Sequence, residues 1–423
     1  MKMTRFIKPR WKSLVARIGQ RRLVATAWVA AGATGFVLTF LLIHIPEGPA
    51  HWSADLLMTY VPRTPAQQRT DIALIYVTEE TLAPYPYVAP IDRGFLADLV
   101  RAVDQADVKA IGLDFVFDRE TEAAKDDDLV AAIRNAAHPV VLGGLDHRSP
   151  MSEATRTYQH SFFERVDRAP GHSAKIGHLY FDQHRNPFII SDHVVRSIAP
   201  ADGEYPKSFA EMLAGADGQP RTVPSAYISW QSEHADGKGL LRRLWDALAR
   251  PVIGLFGRTE NVQAVTETFP SFKAEQLAGP ARVFDRDLIK RLLDNRFVLI
   301  GGNFSDRDQH LVPFSVIDGQ RYPGLFVHAQ ILAQIFDGRK IGVLALWLEL
   351  LLALLAALGG FWMGRREMTA RHHLVIEAGT ALLLVALSIV GLGLFGLVFP
   401  FTTVFIGAMA GVVGGHYSRG AHS

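Results

Sequence analysis

Cysteine is missing from all 423 residues of this chain. The chain therefore has no disulfides, no thiolate metal ligands, no cysteine nucleophile and no lipid-modified cysteine. It also lacks a charge excess, because 44 lysines and arginines stand against 42 aspartates and glutamates. This balance indicates no polyanionic partner, and we expect no nucleic-acid binding.

Motifs of common enzyme classes are also scarce. The stretch LIGGNFSD follows an apolar run, but it contains neither GxGxxG nor the Gly-Lys-Ser/Thr of a P-loop. No GxSxG sequence marks a nucleophilic serine. Nucleotide-dependent and serine-hydrolase chemistry are therefore poorly supported.

Long apolar runs, by contrast, are present and predict four transmembrane helices. About 20 apolar residues span the hydrocarbon core of a bilayer. The first run is longer than the apolar core of a cleavable signal peptide, which predicts an uncleaved anchor. The four runs cover residues 23–45, 341–363, 374–395 and 396–415.

Charges beside these runs predict the orientation of the chain. Segment 1–22 contains eight lysines and arginines and no acidic residue, and loop 364–373 contains three arginines and one glutamate. The positive-inside rule places both segments, and the tail 416–423, in the cytoplasm. We therefore predict a multi-pass protein of the bacterial inner membrane, with both termini cytoplasmic and residues 46–340 outside.

Within residues 46–340, apolar strands alternate with amphipathic helices. This β-α-β-α-β pattern predicts an α/β domain with a mainly parallel sheet flanked by helices. The middle is less regular, and there we predict a hairpin over 177–190, a helix over 206–215 and a basic amphipathic helix over 237–258. The predicted strands are 71–78, 109–117, 139–146 and 296–302, and the main helices are 94–106, 126–136 and 324–338.

Polar residues follow several predicted strands, at the edge where parallel sheets bind ligands. Glu79 and Glu80 follow the first strand, Asp114 lies late in the second, and Asp146 follows the third. The candidate ligand-binding residues are Asp92, Arg93, Asp114, Asp306, Arg307, Asp308, His310 and His328.

The stretch Asp306–His310 admits three interpretations. If it is extended, its two carboxylates and its imidazole point the same way and could bind a metal, with His328 as a fourth ligand. Arg307 would compete for the carboxylates, which favours a salt-bridged loop. A loop that contacts a ligand is the third interpretation. We assign no metal and no cofactor.

Glu349 is an acidic residue inside the predicted second span. A carboxylate within a bilayer is costly and suggests a functional role or a contact between helices. Small residues of the last span, Gly407, Ala408 and Gly411, could also pack against another helix. These features leave open a scaffold that holds other membrane proteins, or a homo-oligomer.

Several stretches resemble the type-two CHASE domain, a bacterial extracellular sensory module. The family usually has a Trp-Pro-x-Pro-Arg signature where this chain has YPYVAPIDR, and Asp92 and Arg93 take the place of its last part. One span before the domain and three after it also fit the family. The stretches are IALIYVTEETL, AIGLDFVF, GHLYFDQHRNPF, SFAEMLAG, FVLIGGNFSDRDQHLVPFS and YPGLFVHAQILAQI.

The resemblance implies a sensory domain that binds an unidentified small ligand or protein outside the membrane. In the family this domain normally feeds a cytoplasmic adenylate cyclase or protein kinase. Here only the tail 416–423 follows the last span, so we expect a separate membrane or cytoplasmic effector. The alternative is an extracytoplasmic metal-dependent enzyme that uses Asp114, Asp306, Asp308, His310 and His328.

Overall fold

A computed structural model of the chain describes residues 54–55, 57–58, 68–167, 175–182, 194–231, 268–315 and 319–420. The predicted first span, the basic segment 1–22 and the predicted helix 237–258 lie outside these residues. The chain divides into two compact units. The α/β unit comprises Met58–His184 and His193–Ile341, and the helical unit comprises Met1–Leu57, Arg185–Asp192 and Gly342–Ser423.

The α/β unit is built on a six-stranded sheet in which all neighbouring strands are parallel. The strand order is β4-β3-β2-β8-β1-β7, which places β8 in the centre between β2 and β1. The short pairs β5–β6 and β9–β10 are antiparallel. In chain order the strands are β1 (Ile72–Val77), β2 (Ala110–Asp114), β3 (Val140–Gly144), β4 (Lys175–His178), β5 (Phe181–Asp182), β6 (Ser197–Ile198), β7 (Ser271–Lys273), β8 (Phe297–Gly302), β9 (Gln309–His310) and β10 (Tyr322–Pro323).

Helices cover both faces of this sheet. Successive residues of a strand point to opposite faces. Val298 and Ile300 of β8 enter the main core beneath α2, α3, α4 and α6, whereas Gly301 meets Leu325 of α7 on the other face. Within its described residues, the α-helices of this unit are α1 (Glu79–Leu82), α2 (Arg93–Asp104), α3 (Ala123–Arg134), α4 (Glu153–Asp167), α5 (Phe209–Ala214), α6 (Arg286–Leu293) and α7 (Gly324–Asp337).

The predicted α/β class and parallel sheet are confirmed, whereas the predicted hairpin is corrected. The stretch predicted as a hairpin over 177–190 instead contributes β4, which pairs in parallel with β3. The following β5 pairs with β6, and residues 183–190 are outside the described part. Helices α4 and α6 and strand β7 were not predicted. Helix α7 ends at Asp337. Gly338 is its C-cap and has a left-handed φ of 61°, which stops the helix there.

Residues 225–231 form a strap along α7, held by two buried glutamines. Gln330 and Gln334 are both 0 % exposed. The Gln334 side chain accepts from the Ser229 N–H at 2.8 Å and donates to the Tyr227 carbonyl at 2.8 Å. The Gln330 side chain accepts from the Gln231 N–H at 2.9 Å. An amide supplies both a donor and an acceptor, which is why glutamine can satisfy a strand-like backbone here.

The helical unit contains three helices in its described part: α8 (Leu346–Gly364), α9 (Ala370–Val390) and α10 (Phe401–Gly420). Two segments are long and apolar enough to cross a membrane, by length and composition alone: Trp347–Gly364 and Arg371–Phe395. Of the four predicted spans, these two are found. The predicted span 396–415 folds mainly as α10, which begins at Phe401 and extends past the span into polar residues such as His416 and Ser418.

Helices α8 and α10 pack backbone to backbone. A methyl group on Gly360 would overlap the Ala408 carbonyl oxygen and lie 3.0 Å from its carbon. A methyl group on Gly407 would lie 2.8 Å from the Ala353 carbonyl oxygen, and one on Gly411 would overlap that of Ala357. The small residues that suggested contacts with other proteins therefore contact a helix of the same chain.

Candidate functional site

Strands β2 and β8, with helix α7, bring several candidate residues to the carboxyl edge of the sheet. Asp114 is the last residue of β2 and pairs in register with Gly301 of β8. The loop that follows β8 carries Asp308, and α7 begins at Gly324. In an open parallel sheet this edge is where ligands bind.

Asp114 is a buried carboxyl group with an unpaired oxygen. The residue is 8 % exposed, and its Oδ2 has no hydrogen-bond partner. It lies beside Gly301, where an added methyl group would stand 3.1 Å from the Asp114 Cβ and 2.8 Å from Leu325 Cδ1. Burial, and next the negative charge of Asp308, raise the pKa of Asp114 well above its ordinary range.

Asp308 lies against the start of α7. Its backbone carbonyl accepts from the Gly324 N–H at 3.1 Å. A methyl group on Gly324 would stand 2.8 Å from the Asp308 Oδ1. The same oxygen is 3.0 Å from the His310 Nε2, as expected for an imidazole N–H that donates to a carboxylate. Asp308 therefore links the loop after β8 to both α7 and His310.

His328, in the second turn of α7, completes this cluster on an aromatic wall. It is 1 % exposed, and its Nδ1 has no hydrogen-bond partner. Its ring lies 4.6 Å from that of Phe181 and 5.1 Å from that of Phe209. Burial, followed by the nearby His178 and His310, lowers the pKa of His328 well below its ordinary range, so the imidazole is neutral.

His178, in the stretch that was predicted as a hairpin, is buried. As the last residue of β4 it is 1 % exposed. Burial, and then the positive charge of Arg148, lower the pKa of His178 to about 4. Neither His178 nor Phe181 was among the candidates; the apolar residues around them in GHLYF were the available signal of burial.

The Asp306–His310 stretch does not form the metal site that an extended chain would give. Only Gln309–His310 is a strand, and Asp308 has a left-handed φ of 55°. Asp306 instead pairs with Arg307 at 3.1 Å, and both side chains are more than half exposed. The described part of the chain holds no group of three histidine, aspartate or glutamate residues placed to bind a metal ion.

Asp92 and Arg93 lie in a second cluster, formed with α3. Asp92 caps α2 by accepting from the Phe95 N–H at 3.0 Å, and it pairs with Lys125 at 2.6 Å. Arg93 is 0 % exposed, and its Nε lies 3.7 Å from an oxygen of Asp126. Its burial lowers the pKa of the guanidinium. Asp92 therefore joins α2 to α3, whereas the three guanidinium nitrogens of Arg93 are buried without a hydrogen-bond partner.

Three other acidic candidates have clear partners or positions. Glu79 accepts from the N–H and the hydroxyl of Ser305, at 2.7 and 2.8 Å, and so ties the loop after β8 to α1. Asp146 is paired with Arg148 at 2.6 Å. Glu349 is in the first turn of α8 and belongs to the helical unit rather than to this site.

The raised pKa of Asp114 predicts a pH-dependent effect of the substitution Asp114→Asn. A group whose pKa is raised by folding stabilises the protein below its unfolded pKa, about 4 for aspartate. This contribution is lost as the pH rises through the folded pKa. We therefore expect Asp114→Asn to raise the melting temperature at pH 7 and above, with the gain shrinking toward pH 4. Melting curves of the two proteins across this pH range test the prediction. A difference in melting temperature that does not change with pH would contradict the raised pKa of Asp114.

Comparison with known proteins gives one match. The family model for the CHASE2 domain matches residues 30–362, which is most of the chain. No curated protein and no solved structure matches the chain. Since the family model spans well over half of the sequence, the chain belongs to the CHASE2 family of extracellular sensory domains.

Proposed function

We propose that this protein is a membrane-bound sensor whose α/β unit binds a ligand outside the cytoplasm and signals to a separate effector through its membrane helices. The observation that carries the proposal is the cluster of Asp114, Asp308, His310 and His328 at the carboxyl edge of the sheet. Asp114 Oδ2 and His328 Nδ1 are buried without partners. Such atoms are costly unless something else satisfies them, which a bound ligand would do.

The binding site has a direct connection to α7. The Asp308 carbonyl accepts from the first N–H of this helix. Gln330 and Gln334 further along it hold the strap 225–231. A ligand that moves the Asp308 loop would therefore act on α7 and on the strap together. Signalling in this way requires that the ligand bind two states of this region with different affinity.

The membrane arrangement that we propose has four spans, with both termini in the cytoplasm of a bacterial cell and the α/β unit outside. The two candidate membrane helices and the sensory family support it. Trp347 and Trp362, near the two ends of α8, are 65 % and 53 % exposed. Tryptophan is enriched at both interfaces of a bilayer, which fits α8 as a span.

The sensing function can be tested by replacing residues 68–341 with a flexible linker in the native host. We expect this variant to leave the phosphoproteome and the cyclic-nucleotide levels as they are in a strain without the gene. The full-length protein should restore both. Restoration of the wild-type profile by the variant that lacks the α/β unit would contradict the proposal.

Because the chain has no native cysteine, a single introduced cysteine is the only site that a maleimide can label. Such labelling reports how the full-length and the shortened protein are inserted in the membrane. Glu120→Cys, in the α/β unit, should react with a membrane-impermeant maleimide in intact spheroplasts. Glu367→Cys, in the loop between α8 and α9, should react only after lysis. The second reporter also shows whether the shortened variant is inserted, so that failure to signal is not confused with failure to fold.

A further inference from the structure

Asp114 and Asp308 are two acidic groups that have no lysine or arginine partner among the described residues. Within the described residues, the only ion-pair partner of Asp308 is His310, at 3.0 Å, and Asp114 forms no ion pair. Arg307, the basic residue beside Asp308 in sequence, pairs with Asp306 instead. When both groups are ionised they repel each other, and this repulsion raises the pKa of Asp114 beyond the effect of burial.

The two carboxyl groups flank the first peptide of α7. The Asp308 carboxylate lies against Gly324. A methyl group placed on this glycine would stand 2.8 and 2.9 Å from the two carboxylate oxygens. Asp114 and the adjacent Leu325 crowd Gly301 in the same way. Glycine at 301 and 324 is what makes room for both acids at this point of the sheet.

Aromatic rings line the site beside the two acids, and the nearby Arg321 donates to the Gln309 carbonyl at 3.3 Å rather than to either acid. Phe181 lies 4.8 Å from the His310 ring and 4.6 Å from the His328 ring, and it is 8 % exposed. The neutral imidazole of His328 offers an unpaired ring nitrogen. Two acids beside an aromatic wall attract a positive charge on an organic skeleton, since a ring face and apolar carbon favour such a cation over a strongly hydrated one.

We infer that this site binds a small organic ammonium compound, whose nitrogen lies between Asp114 and Asp308 and whose carbon skeleton packs against Phe181. The inference rests on the proposed sensing function and names its ligand class. An ammonium group donates up to three hydrogen bonds and accepts none, so it can satisfy the unpaired Asp114 oxygen. The ammonium competes with the proton for Asp114, whose pKa is raised, so it binds the ionised form of this residue, and no covalent bond changes.

The test uses the full-length protein in lipid nanodiscs, with thermal stability and calorimetry as readouts. The cationic probes are methylamine, ethylamine and ethanolamine. Ethanol and acetamide are neutral controls, acetate is an anionic control, and sodium, potassium, magnesium and calcium chlorides test inorganic cations. We expect at least one amine to raise the melting temperature at a concentration where the neutral, anionic and inorganic compounds do not.

Calorimetry and variants then locate the amine. The affinity for the amine should increase with pH as long as the amine stays protonated, because the ammonium binds the ionised form of Asp114, whose pKa is raised. Asp114→Asn and Asp308→Asn should each weaken the affinity about tenfold or more. Asp306→Asn is the matched control, since this exposed acid lies two residues away and pairs with Arg307; it should leave the affinity unchanged. If Asp114→Asn fails to fold, Asp308→Asn still tests the site, because the Asp308 side chain is 42 % exposed.

Three results would overturn the ammonium inference: no amine stabilises the protein, an inorganic cation alone does, or amine binding is equally weakened by Asp306→Asn. Binding of acetate or acetamide that depends on Asp114 would also overturn it, while leaving the sensing function in place. The sensing function fails separately, if the variant without the α/β unit signals normally in cells.

Discussion

Alanine in place of Gly360 is expected to lower the melting temperature of the full-length protein, whereas alanine at the adjacent Gly359 is not. Gly360 faces α10, where a methyl group would overlap the Ala408 carbonyl oxygen and lie 3.1 Å from the Val412 nitrogen. These atoms belong to the backbone, so α8 and α10 would have to move apart. Overpacking of this kind costs about 1–3 kcal/mol of the free energy of unfolding, and sometimes more.

Gly359 provides a control within the same helix. A methyl group there meets nothing within 4 Å. Both substitutions gain about 0.5–1 kcal/mol from the higher helix propensity of alanine, so their difference isolates the contact with α10. Thermal unfolding of the two variants in the same detergent measures this difference. Equal melting temperatures would mean that α8 and α10 are not packed as described.

Alanine in place of Gln334 is expected to destabilise the α/β unit by about 3 kcal/mol, as leaving buried backbone groups unpaired does. The Ser229 N–H would lose its acceptor at 2.8 Å, and the Tyr227 carbonyl would lose the closer of its two donors, keeping only the Ser225 hydroxyl at 3.0 Å. Gln334 is 0 % exposed, so water cannot replace the amide without opening the strap. The Ser229 amide should therefore exchange with deuterium much faster in the variant.

Gln105→Ala is the matched control for this substitution. Gln105 is exposed, and its side chain accepts one hydrogen bond from Arg286 at 2.7 Å. Surface changes of this kind alter stability by about 0.5 kcal/mol or less. Urea titration with pulse proteolysis, together with hydrogen exchange, compares the two. If Ser229 stayed protected in Gln334→Ala, the strap would be held by contacts other than this glutamine.

Much of the α/β unit could be predicted because its strands are short, continuous apolar runs. IALIYV, AIGLD and FVLIGG are buried along their whole length or nearly so, which is typical of strands covered on both faces. The strand order could not be predicted, because β8, which begins at Phe297, enters the sheet between β1 and β2, and β2 ends as early as Asp114. Helix α4 was missed because its sequence is mostly polar and only residues such as Phe162 and Phe163 reach the core.

The sequence predicted several residues of the candidate site but not how they are arranged. Asp114, Asp308, His310 and His328 do come together. Asp306 and Arg307 separate from them, because the left-handed backbone of Asp308 breaks the alternation that an extended strand would have kept. The backbone angles of Asp308 depend on the hydrogen bond that the Gly324 N–H donates to its carbonyl. The sequence around Asp308 does not encode this contact.

The amino-acid sequence was enough to establish the fold class, the family and the presence of apolar helices, because each depends on patterns along the chain that folding does not alter. The partners of individual polar groups depended on the folded structure. Whether Asp114 is paired, whether His178 is solvated, and whether Gly411 faces another protein or α8 are questions of distance between residues far apart in sequence. These distances are set by the packing of β8 into the centre of the sheet and of α10 against α8.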